Sequence, residues 1–77
     1  MTNTELLNWY IQKSGLKKGY IAMVLGIPAA TLSRKISNER KFTADEIVAL
    51  SKLVGIKTLK ERDAVFFAEK VAETATE

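Results

Sequence analysis

The chain has 77 residues, of which 47% are hydrophobic and 27% charged, with one proline, no cysteine, no histidine and a formal net charge of +3. A length of this order supports one domain over residues 1–77 that buries only about 60% of its unfolded surface, which favours oligomerisation. The missing Cys and His exclude disulfides, Cys/His zinc sites and His-based chemistry, so neither an enzyme nor a cofactor is expected; no apolar run reaches the roughly 18 residues of a membrane span, Met1 to Glu5 lacks a basic leader, and a cytoplasmic protein is expected.

Capping signals announce three helices. Thr2, Thr43 and Thr58 are each followed three residues later by a glutamate, Glu5, Glu46 and Glu61. In that box the hydroxyl and the carboxylate each satisfy an orphan backbone N–H. Met1 with Leu6 and Phe42 with Ile47 add hydrophobic staples to the first two. The first helix is predicted over about Asn3 to Ser14, ending before Gly15, with Leu6, Leu7, Tyr10 and Ile11 as its core stripe. Trp9 lies off that stripe and reads as a partly buried structural residue, the alternative being stacking in an interface.

From Lys18 to Ile36 the chain reads KGYIAMVLGIPAATLSRKI, two short helices around a tight bend. Ala22 is small where the helices cross, Gly26 can end the first in the left-handed conformation, and Ile27 and Leu32 fill the angle between them. That is the spacing of a helix-turn-helix, whose second helix enters the major groove of DNA. The start of the first of these helices, Lys17-Lys18-Gly19, has no capping side chain, places two cations at the positive end of the macrodipole and includes a glycine. Such an end makes sense if it faces a DNA phosphate, which would accept from free N–H groups and pair with the lysines.

The next helix should run from Pro28 or Ala29 to Ser37, proline being tolerated in the first turn. With Leu32 and Ile36 inward, Ala29, Ala30, Ser33 and Arg34 face out and become the expected readers of base edges. Arg34 suits a guanine bidentately, Ser33 is adaptable, and the alanine methyls can pack on thymine methyls. Asn38 to Phe42 is the following loop. Arg40 and Lys41, together with Lys35, are expected to grip flanking phosphates, as are Lys17, Lys18 and the backbone at Gly19. Between Lys13 and Lys41 seven basic residues face Glu39 alone, a one-sign block over the groove-reading segment.

A fourth helix is predicted over about Ala44 to Val54, ending before Gly55, with Ile47, Val48, Leu50, Leu53 and Val54 in the core. The last segment, 58–71, is expected to carry dimerisation through Val65, Phe66 and Phe67, which at 100° per residue cannot all face one core from a helix. If the helix continues, Ala64, Phe67, Ala68 and Val71 form its inward stripe and Phe66 projects outward. If it stops near Phe66, VFFAEKV is an extended arm.

Over residues 4 to 67 the chain resembles the Cro/CI-type helix-turn-helix domains of temperate phages, on the run GLKKGYIAMVLGIPAATLSRKISNERKFTADEIVALSKLVGI. The family's motif positions fall on Ala22, Gly26, Ile27 and Leu32, and its base-reading positions on Ala29, Ala30, Ser33 and Arg34. The resemblance implies an all-α, compact five-helix, lambda repressor-like fold that binds double-stranded operator DNA as a homodimer in a bacterial cell. Two departures stand out. Lys17 and Lys18 occupy the place of a Thr-Gln pair that often opens the second helix, and Pro28 that of a serine common at the third. The expected function is a sequence-specific repressor of Cro type; the alternative is a modulator or antirepressor that binds a partner repressor through the last helix.

Overall fold

Threonine, asparagine and glycine side chains, or their absence, set most of the helix boundaries. The computed structural model describes residues 1–68, and within them the chain forms five α-helices and no strand: α1 (Thr4–Ser14), α2 (Lys18–Leu25), α3 (Ala29–Ile36), α4 (Ala44–Val54) and α5 (Leu59–Phe66). Complete capping boxes open α4 at Thr43/Glu46 and α5 at Thr58/Glu61. In the second, the Glu61 carboxylate accepts from the backbone N–H groups of Lys57 and Thr58, which holds its carboxyl below the usual carboxylate range. Gly15, Gly26 and Gly55 close α1, α2 and α4 in the left-handed region, as their positions predicted.

The expected box at Thr2/Glu5 does not form. Asn3 caps α1 instead, its Oδ1 accepting from the Leu6 N–H at 3.1 Å. The cause is tertiary: both backbone polar groups of Thr2 are bound to Asn38, and the Asn3 N–H donates to the Val65 carbonyl at 2.7 Å. With the cap one residue later, Met1 and Leu6 lose their staple spacing and Met1 is left exposed. The Phe42/Ile47 pair keeps that spacing ahead of α4, and both side chains line one hollow.

One hydrophobic cluster joins all five helices. Leu7 and Ile11 come from α1, Ile21 and Ala22 from α2, Leu32 and Ile36 from α3, Ile47, Leu50 and Val54 from α4, and Val65 and Phe66 from α5, with Ile56 from the loop before it. Leu6, Tyr10, Ile27 and Leu53 pack at its margin. Val48, expected in the core, is exposed because the α4 stripe through Ile47, Leu50 and Val54 turns it outward. Trp9 is also exposed rather than partly buried, with Tyr10 edge-on at 5.0 Å and the Lys13 ammonium 4.8 Å from its ring centroid.

The C-terminal aromatics are arranged opposite to the expected stripe. α5 stops at Phe66; Val65 and Phe66 are buried, while Ala64 and Phe67 are exposed. The N-terminal residues supply the cover that the local pattern did not contain. Met1 and Ala68 exchange backbone hydrogen bonds, and Asn3 bonds to Val65. Phe66 then meets Phe42 edge-on, with ring centroids 5.4 Å apart. Glu69, Lys70 and Val71 of the proposed arm lie outside the described residues.

Candidate nucleic-acid interface

The bend between α2 and α3 is closed by backbone chemistry. Gly26 sits at φ 73°, its N–H donates to the Met23 carbonyl, and the following Ile27 N–H reaches back to the Ala22 carbonyl at 3.0 Å. The second bond spans five residues, as in a Schellman closure, and needs the positive φ that glycine supplies without a Cβ penalty. Ala22 is 2% exposed, and Leu32 is fully enclosed. The four residues that suggested a helix-turn-helix therefore occupy the crossing, the turn and the wedge.

α3 begins after Pro28, which stands at the N-cap itself (φ −63°, ψ 150°) rather than in the first turn and has no side chain that could accept a capping bond. From there Ala29, Ala30, Ser33 and Arg34 are all exposed, while Leu32 and Ile36 are buried. The 3.6-residue period thus leaves a neighbouring set of small side chains and one guanidinium free on the outer surface of α3.

Lys35 departs from its expected role. It is buried, and its Nζ lies 2.6 Å from Glu46 Oε1, the two side chains being 10% and 11% exposed. The ammonium that was to grip a phosphate instead fastens α3 to the first turn of α4. Burial pushes the Glu46 carboxyl up, but the Lys35 hydrogen bond, the Thr43 N–H and hydroxyl, and the Lys35 charge together hold it below its ordinary value. This is the only ion pair among the described residues. Lys17, Lys18, Arg34, Arg40 and Lys41 are exposed and carry no carboxylate partner within that set.

The start of α2 has the open character that its sequence suggested. Lys17 is the N-cap without a side-chain bond, no acidic residue lies in the first turn, and a Cβ placed on Gly19 would meet no described atom within 4 Å beyond its neighbours and its own helix backbone. An anion placed at that end would meet free N–H groups, two lysine side chains and no Cβ.

The loop after α3 is built back onto Arg34. The Arg34 carbonyl accepts from the N–H of Glu39 at 2.9 Å, from that of Arg40 at 3.3 Å and from the Ser37 hydroxyl at 3.1 Å. Asn38 sits at φ 70°, the sole non-glycine residue with positive φ among those described, and its amide makes both bonds to Thr2. Sequence reasoning placed this residue only in a loop. The available signal was an Asn directly after a predicted helix end, since Asn is the side chain best suited to αL after glycine.

The basic run that looks continuous in sequence is split in space. Lys13 shares a hollow with Lys52 and Lys57 at the C-terminal ends of α1 and α4, whereas Lys41 lines a different one with Met1, Asn38 and Phe67. Cations at helix C-termini answer the negative end of the macrodipole, which accounts for Lys13 and Lys52 without a ligand. Val65 and Phe66 are withdrawn into the core, so Phe67, 59% exposed, is the member of the expected dimer set that remains on the surface. Compared with protein-family models, curated proteins and solved structures, the chain shows no match in any of the three.

Proposed function

We propose that this chain is a DNA-binding transcriptional repressor of Cro type, which occupies operator DNA and so excludes RNA polymerase or a competing repressor in a bacterial cytoplasm. The observation that carries the reading is the outer surface of α3: Ala29, Ala30, Ser33 and Arg34 are exposed, backed by a buried Leu32 and followed by Arg40 and Lys41, which have no carboxylate partner among the described residues. α3 enters the major groove with its N-terminal turn leading. Arg34 bonds a guanine edge, and the alanine methyls tolerate thymine. Lys17, Lys18, Arg40 and Lys41 neutralise phosphates on either side. With one guanidinium as the strong base reader, specificity also draws on DNA shape. Two copies joined through Phe67 set their α3 helices about 34 Å apart, one turn of the duplex.

Selection of bound duplexes from a random pool by the protein alone, followed by salt titration of the winner, tests this. A palindromic winner is expected. The four phosphate-facing cations in each of two copies give a log–log salt slope of about −7. Arg34→Ala should cost about 1–3 kcal/mol and relax one base position, whereas Lys41→Ala weakens all sequences alike and flattens the slope. No enrichment over random DNA overturns the reading in favour of a partner-binding modulator, although burial of Val65 and Phe66 leaves that alternative only Phe67 of its three contacts.

A further inference from the structure

The recognition helix is held at its C-terminal end by the first residues of the chain. The Asn38 amide brackets Thr2, accepting from its N–H and donating to its carbonyl, both at 2.8 Å, and the Thr4 hydroxyl donates to the Ile36 carbonyl at 2.6 Å. Thr2 is itself buried. Asn38 takes φ 70° to make these bonds, a conformation that costs a non-glycine residue energy and persists only where neighbours fix it. On its other side the chain turns directly into Glu39 and Arg40, whose N–H groups bond the Arg34 carbonyl. The same short loop therefore sits between the residue that reads a base and the residues that hold phosphate.

We infer that Asn38 is a positioning residue for DNA recognition. By locking the chain just after α3 to Thr2, it sets the register of Arg34 in the groove relative to Arg40 and Lys41 on the backbone. The inference rests on the DNA-binding reading above. Its physical basis is that a base contact depends on geometry at the scale of a hydrogen bond, while phosphate attraction is long-ranged and tolerant of small displacement. Loosening the clamp therefore degrades base reading and leaves charge neutralisation intact.

Asn38→Gly is the informative variant, because glycine keeps the positive φ and removes only the amide. Thr2→Pro removes the N–H on the other side of one of the two bonds, with residue 38 untouched. For each, folded protein is verified by its melting transition, and affinity is measured for the selected duplex and for random duplex across salt. The selected duplex is expected to weaken about five- to thirtyfold on Asn38→Gly, with a smaller loss for Thr2→Pro. Random-duplex affinity and the salt slope stay within about twofold and one unit. A parallel loss on both duplexes makes the clamp mere scaffolding and overturns the proposal, as does unchanged discrimination in both folded variants. If the unaltered protein binds no duplex, the DNA-binding reading itself fails, an outcome separate from these.

Discussion

Replacing Lys35 by methionine separates a structural lysine from a DNA-contacting one. Methionine keeps an unbranched stem in the space between α3 and α4 and deletes the ammonium, leaving Glu46 with the Thr43 N–H at 2.9 Å. Breaking a fully buried pair costs about 3–5 kcal/mol, and an exposed pair contributes below about 1 kcal/mol. The two side chains here are 10% and 11% exposed, and the carboxylate keeps one backbone donor, so the cost sits between these limits at about 2 kcal/mol. A domain of this length has a total stability of roughly 4–12 kcal/mol, so the loss is substantial. It corresponds to a melting temperature lower by about 8–16 °C. The assay is thermal unfolding of Lys35→Met, Glu46→Gln and the double variant, whose combined loss should fall short of the sum of the singles. Salt titration of DNA binding at a temperature where all are folded completes it, with slopes expected to match the unaltered protein. A Lys35→Met variant that melts normally but loses about one unit of salt slope per subunit would refute the argument and return Lys35 to the phosphate.

Acidification acts on the same pair: a carboxyl held below its ordinary value binds fewer protons folded than unfolded, so its stabilisation is present at neutral pH and is lost as pH falls below about 4.3 and through the folded value. Glu46→Gln should shrink the acid loss of melting temperature without abolishing it, because Glu61 shifts in the same direction; an unchanged acid profile would contradict this. Phe66→Ala should cost about 3–5 kcal/mol, since it empties a buried site against Phe42. Phe67→Ala should leave monomer stability within about 0.5 kcal/mol while weakening self-association, read by sedimentation over a concentration series; equal destabilisation by the two would contradict the surface position of Phe67. Lys17→Thr supplies the missing N-cap to α2 and should raise stability by about 1 kcal/mol while lowering DNA affinity and flattening the salt slope. Greater stability with unchanged binding would detach that end of α2 from the DNA surface.

The sequence by itself determined the features that depend on a few consecutive residues. Thr43 with Glu46 and Thr58 with Glu61 define helix starts through bonds made inside one turn, and Gly26 defines the bend because its neighbours require a positive φ. The outer face of α3 followed from the helical period alone once Leu32 and Ile36 were assigned inward. Tertiary structure decided whatever depended on a partner distant in the chain. Thr2 carries the same capping signal as Thr43, yet its peptide groups are taken by Asn38, 36 residues away, and the helix begins one residue later. The period turns Arg34 outward but leaves Lys35 at the margin of the Leu32/Ile36 stripe, and the approach of Glu46 decides that Lys35 is buried and paired. Val65 and Phe66 became core, and Phe67 surface, because residues 1–3 and Phe42 close over the end of α5. Periodicity describes which residues share a face, but which face is covered depends on what the rest of the chain places against it.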